Sequence, residues 1–127
     1  MGDYKKLAVT KKAHELTLDL YRITEALPRT EIFGLTSQIR RAASSINANL
    51  AEGSARGSDR DFLRFLRIAI GSVSEFEYHL VLAKDLKFIG EQDSQKLEKQ
   101  RQEVGAMLSG LATAVMTRIR MQVLGTK

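Results

Sequence analysis

Four runs of apolar residues recur at alternating steps of three and four, and that period leaves the chain few folds other than packed helices. In the first run Val9, Ala13, Leu16, Leu20, Ile23 and Leu27 stay on one side of a helix turning 100° per residue. Pro28, the single proline, disfavours helical backbone in the residue before it, so a first helix over residues 7–27 is expected to end there. The chain then turns through Arg29 to Gly34, and Thr36 or Ser37 is the expected cap of a second helix over residues 36–53. Its seam reads Ile39, Ala42, Ala43, Ile46, Leu50 and Gly53.

Gly53 suits a left-handed C-terminal cap, and Ser58 followed by Asp61 has the spacing of a capping box, with Asp in place of Glu. A third helix over residues 59–88 would be about 45 Å long at 1.5 Å per residue. Phe62, Phe65, Leu66, Ala69, Val73, Phe76, Leu80 and Ala83 form its inner face. Gly90 breaks the pattern, Asp93 or Ser94 can cap, and Leu97, Val104, Leu108, Leu111, Val115 and Ile119 give a fourth seam over residues 93–122. Short links between seams of this kind predict an all-α, antiparallel up-and-down four-helix bundle, one domain over residues 1–127.

Composition agrees with this period. One proline and 6% aromatics are too few for a sandwich or barrel. The absence of cysteine removes disulfides and thiolate chemistry and suits a reducing compartment. No signal-peptide core and no apolar run of bilayer length is visible, so a cytoplasmic location without a membrane partner is expected.

Catalytic chemistry finds no foothold. The Glu-x-x-His pairs of bundle metal sites would need Glu where Lys11 precedes His14 and Phe76 precedes His79. Glu75 lies one turn before His79, and a polar side-chain pair is the simpler reading. Gly53 to Ser58 lacks the ending of a phosphate loop, and no grouping of Ser, His and Asp has nucleophilic spacing. No enzyme, no metal and no cofactor are expected.

Twenty Lys and Arg against fifteen Asp and Glu give a formal charge of +5, which permits attraction to a polyanion. Arg60, Arg64 and Arg67 fall at i, i+4 and i+7, away from the apolar face, with Arg56, Arg40 and Arg41 as residues that could widen the stripe. A guanidinium donates two parallel bonds to phosphate, so these six are the candidate nucleic-acid contacts. Glu52, Asp59 and Asp61 stand close enough in sequence to pair with the same arginines and leave only a solvated face. No aromatic interleaves the stripe in the helical register, so base stacking is not indicated.

Farther along the third helix Gly71, Ser74, Tyr78 and Leu82 continue an outward line of small and apolar residues, the candidate oligomer interface. Ser44, Ala48 and Ala51, with Met107, Ala114 and Met121, extend the same tendency; a wide core-facing stripe within one monomer explains them equally well. Arg41, Ser45, Ala48 and Glu52 share another line, which allows a polar strip between helices.

The run from Gly34 to Gly53, containing Gln38-Ile-Arg-Arg-Ala-Ala43 and Ala51-Glu-Gly53, followed by Asp61-Phe-Leu-Arg-Phe-Leu66 and Glu75-Phe-Glu77, resembles the four-helix-bundle family named for the intervening sequences of 23S rRNA genes. The resemblance extends from Lys6 through Leu111. It implies assembly into a ring, commonly a homopentamer. It also implies kinship with the basic accessory proteins of diversity-generating retroelements, which engage nucleic acid and a reverse transcriptase. Gln38, Arg40, Arg41, Asn49, Glu52 and Gly53 match its motifs and read first as structural, and the family offers no active site to carry over. Thr10 stands where relatives often have tryptophan, and Asn47 where proline is usual. The expectation is a non-enzymatic, oligomeric protein that associates with RNA or DNA through its basic surface, or alternatively a scaffold for protein partners.

Overall fold

The computed structural model describes residues 3–125, so the first two and last two residues of the expected domain lie outside it. Four helices carry the fold: α1 Ala8–Thr24, α2 Leu35–Ala55, α3 Asp59–Asp85 and α4 Glu91–Gly125, with short 3₁₀ turns at Tyr4–Lys6 and Arg29–Glu31. No strand is present among the described residues, and no helix is long and apolar enough to cross a membrane.

Each helix packs against its chain neighbours, and α1 meets α4 to close the bundle. The pairings run in opposite directions at every seam. Between α1 and α2, Thr24 meets Arg40 and Thr10 meets Asn47; between α2 and α3, Ser45 meets Ser72. Between α3 and α4, Glu77 meets Arg101 and Asp59 meets Arg118, and between α1 and α4 Lys12 meets Glu103. All neighbours are therefore antiparallel, the up-and-down bundle that the four seams predict. Leu16, Leu20, Ile39, Ile46, Leu50, Phe62, Phe76, Leu97 and Leu108 are fully buried at its centre. Removing that apolar surface from water is the main driving force, at roughly 25 cal/mol per Å².

The helix ends depart from expectation. α1 stops at Thr24, before the proline, because its last turn tightens: Glu25, Ala26 and Leu27 donate to carbonyls three residues back. Neither Thr36 nor Ser37 caps α2, since Thr36 is buried one position inside it. Glu31 does so instead, its Oε1 accepting the Leu35 N–H at 3.1 Å. Ser58 caps α3 as expected, accepting the Asp61 N–H at 3.1 Å.

Gly53 is not a left-handed cap; that conformation falls on Gly57 at φ 83°, and α2 runs on to Ala55. Nor does Gly90 end α3. Lys87 at φ 64° takes the left-handed position, with Phe88 N–H donating to Ala83 and Lys87 N–H to Lys84, both at 2.9 Å, a Schellman closure. α4 begins at Glu91, so Asp93 and Ser94 lie within its first turn instead of capping it.

Candidate nucleic-acid interface

Ser58 aims the first turn of α3 so that Arg60, Arg64 and Arg67 follow one another along its exposed side, facing the last turns of α4. A cleft of about 510 Å³ opens between the two helices there. The three arginines form one wall and Arg120 of α4 the other. Its floor is Leu63, Met116 and Ile119. Arg120 was not among the residues that the sequence singles out; its only signal is a second basic pair, Arg118 and Arg120, on a helix whose register against α3 cannot be read from periodicity.

Of the neighbouring carboxylates Asp59 is committed elsewhere, and Glu52 and Asp61 stand beside stripe arginines. Asp59 accepts from Arg118 at 3.1 Å and from Gln122 at 3.1 Å, bonds that tie the end of α4 to the start of α3. The hydrogen bond from Arg118 is the first cause holding the Asp59 carboxyl below its ordinary value, against partial burial that pushes the other way. Glu52 pairs with Arg56 at 2.7 Å, and Asp61 stands 3.9 Å from Arg64, the loosest of these pairs. Arg67 reaches across the cleft to Met116 Sδ at 3.5 Å. Among the described residues no carboxylate pairs with Arg60, Arg67 or Arg120. The solvated-face reading therefore accounts for Arg56 and in part for Arg64, and leaves the other three as uncompensated cations.

Phe65 corrects the expectation that no aromatic joins the stripe. It is half-buried at the edge of the inner face, with the Arg64 guanidinium 4.6 Å and the Arg56 guanidinium 5.1 Å from its ring centroid. Arg56 is thus linked to the stripe through an aromatic plane, a cation–π arrangement.

Arg40 and Arg41 are not brought to this cleft. They lie on α2 about 24 Å and 22 Å from Arg56 along the helix axis, at 1.5 Å per residue. Arg40 serves the bundle: its Nε donates to Thr24 Oγ1 at 2.9 Å and its Nη2 to the Tyr21 carbonyl at 3.1 Å, with the guanidinium 4.4 Å over the Tyr21 ring. Arg41 is exposed at that distant level.

Gly71, Ser74 and Tyr78 face outward as expected, Tyr78 being 62% exposed, and Ile68 and Val81 add apolar surface on the same helix. Leu82 does not belong with them, because it is half-buried against the core. The polar strip on α2 becomes one bridge, Ser45 Oγ to Ser72 Oγ at 2.6 Å, joined by Asn49 donating to the Ser45 carbonyl. His79 Nε2 lies 3.4 Å from Glu75 Oε1, and His14 is exposed on α1. Among the described residues no three His, Asp or Glu side chains gather as metal ligands would.

The family model of the 23S rRNA-intervening sequence protein matches residues 5–110, nearly the whole described chain. The chain belongs to that family. The family match embraces α1, α2, α3 and most of α4, so the wall made by Arg60, Arg64 and Arg67 lies within it and Arg120 beyond it. The bundle is also similar to a crystal structure of a protein of unknown function from the S23 ribosomal protein family of Bacteroides thetaiotaomicron. The TM-score is 0.76 at 25% identity, over 83% of this chain and 98% of that one. No curated protein matches the chain.

Proposed function

We propose that this member of the family is a non-enzymatic nucleic-acid-binding protein whose contact surface is the α3–α4 cleft and the Phe65 edge beside it. The observation that carries the reading is the gathering of Arg60, Arg64, Arg67 and Arg120 around one cleft while Asp59 is bound to Arg118 and Gln122. Charge left uncompensated in one place concentrates the field toward a polyanion, and guanidinium forks match phosphate geometry. Backbone phosphates rather than base edges would supply most of the affinity, so binding is weakly sequence-selective and falls steeply with salt. Electrophoretic or anisotropy titration of RNA and DNA at low and high salt tests this; affinity indifferent to salt, or absent, removes the reading.

A second reading is supported by the outward ridge of Ile68, Gly71, Ser74, Tyr78 and Val81 on α3. Exposed apolar and small residues in one row suit a second surface pressed against them, so self-association is proposed alongside nucleic-acid binding, with the homopentamer as the order implied by the family resemblance. Light scattering of nuclease-treated protein reports the order directly. A protein partner in place of nucleic acid would be favoured by a specific complex that survives nuclease.

A further inference from the structure

A surface that only attracts phosphate has no use for an apolar floor, yet the arginine cleft has one. Leu63 is buried beneath it, and Met116 and Ile119 are half-buried, each showing part of its side chain to the opening. The cations stand on both sides of this floor, three along two turns of α3 and one on α4. Two of the guanidiniums already lie against side chains of soft, polarisable character: Arg64 over the Phe65 ring and Arg67 at Met116 Sδ. Among the described residues no carboxylate and no lysine lines the cleft.

We propose that the cleft holds an unpaired base of a single-stranded nucleic acid, its face on Leu63, Met116 and Ile119 and its flanking phosphates on Arg60, Arg64, Arg67 and Arg120. This rests on the nucleic-acid reading and makes it specific. A nucleobase is apolar on its faces and polar along its edges, which fits an aliphatic floor with guanidiniums around the rim; arginine planes stack on bases as they do on aromatic side chains. In a duplex both faces of each base are covered by neighbours, and exposing one requires unstacking it. The site therefore discriminates strand state although it reads little sequence. An acidic helical peptide, the competing occupant, would want a row of apolar anchors along an open groove. Three floor residues enclosed by four cations offer a short, rimmed seat instead.

The test uses the full chain and fluorescent oligomers of about twelve nucleotides, within the span that single-strand sites usually cover: oligo-uridine RNA, the matching DNA, the same DNA with abasic sugars in its middle, and a duplex of equal length. The expected result is that the two intact single strands bind about tenfold more tightly than the abasic strand and the duplex, the apolar area of one base face buried on the floor having roughly that worth. RNA outranking DNA, or the reverse, identifies which source fits. Ile119→Asn should abolish the preference for intact single strands without changing the salt dependence, while Ile119→Met keeps it; both are charge-neutral, and thermal unfolding confirms that they fold. Equal affinity for all four oligomers with a strong salt dependence overturns the base seat and leaves phosphate binding standing. No binding to any of them, or capture of an acidic helical peptide alone, overturns both.

Discussion

Gly53 lies so close to Phe65 that a Cβ on the glycine would stand 2.9 Å from the Cβ of the phenylalanine and 3.2 Å from Cδ1 of Phe62. The missing side chain is what lets the end of α2 approach α3, and the approach leaves Phe65 at the rim of the core, between Arg56 and Arg64. Overfilling a packed contact costs about 1–3 kcal/mol, more than the ~1 kcal/mol that alanine gains over glycine in a helix. Gly53→Ala is expected to lower stability by about 1 kcal/mol net, read from the urea midpoint at unchanged slope. An unaltered or higher midpoint would show that α2 and α3 part without cost.

Lys87 closes α3 with φ at 64°, a conformation that costs a residue with a Cβ on the order of 1 kcal/mol. Glycine removes that strain but loses more chain entropy on folding. Lys87→Gly is expected to stabilise by about 0.5 kcal/mol net, as an upward shift in melting temperature, and to leave nucleic-acid affinity alone because Lys87 lies at the opposite end of the bundle from Arg60.

Arg40 and the cleft arginines should separate in experiment. Arg40→Lys keeps the charge but loses the fork that reaches both Thr24 and the Tyr21 carbonyl, so stability should fall by about 1 kcal/mol with RNA affinity unchanged. Replacing Arg60, Arg64 and Arg67 together by Gln should do the opposite. Stability stays within about 0.5 kcal/mol because these side chains are exposed, while affinity falls alike for all sequences. The slope of log affinity against log salt should drop by about 2, from three phosphate contacts at roughly 0.7 each for a single strand.

Asp59 and Asp19 are the carboxyls held below their ordinary range, so each should contribute stability that acid removes. Asp59 is held low first by the hydrogen bond from Arg118; Asp19 is held low first by the hydrogen bond from Gln100, with Lys96 and Arg22 adding charge, and burial opposing in both. A carboxyl whose folded pKa lies below its unfolded value, near 3.9 for Asp, contributes in full above that value and loses its contribution as pH falls through the folded one. Stability should therefore decline below about pH 4. Carbon-13 titration of the two carboxyls checks the direction, and Arg118→Ala should move the Asp59 midpoint upward while leaving that of Asp19 in place.

Several features of the cleft were legible before any fold was known. Arg60, Arg64 and Arg67 share a face because helical spacing alone puts them there, and Ser58 announces where their helix begins. Phe65 misled: its spacing puts it on the inner face, and only the Gly53 contact moves it to the rim. Arg40 misled in the other direction, since a cation flanking a seam looks the same in sequence whether it meets solvent or reaches Thr24 on the next helix. Capping by Glu31 escaped because the acceptor sits before a turn whose geometry brings it back to Leu35.

Periodicity is a local property, so the chain by itself determined four amphipathic helices, their order and their mutual burial. Which side chains from different helices share a place depends on axial register, and register comes from how close each pair can approach. Gly53 against Phe65, Ser45 against Ser72 and Asp59 against Arg118 set those levels. They bring Arg120 opposite Arg60, turn Asp59 away from the stripe and leave Arg40 and Arg41 at another level. Only the tertiary packing decided that, because contacts between helices carry no signature in the spacing along any one of them.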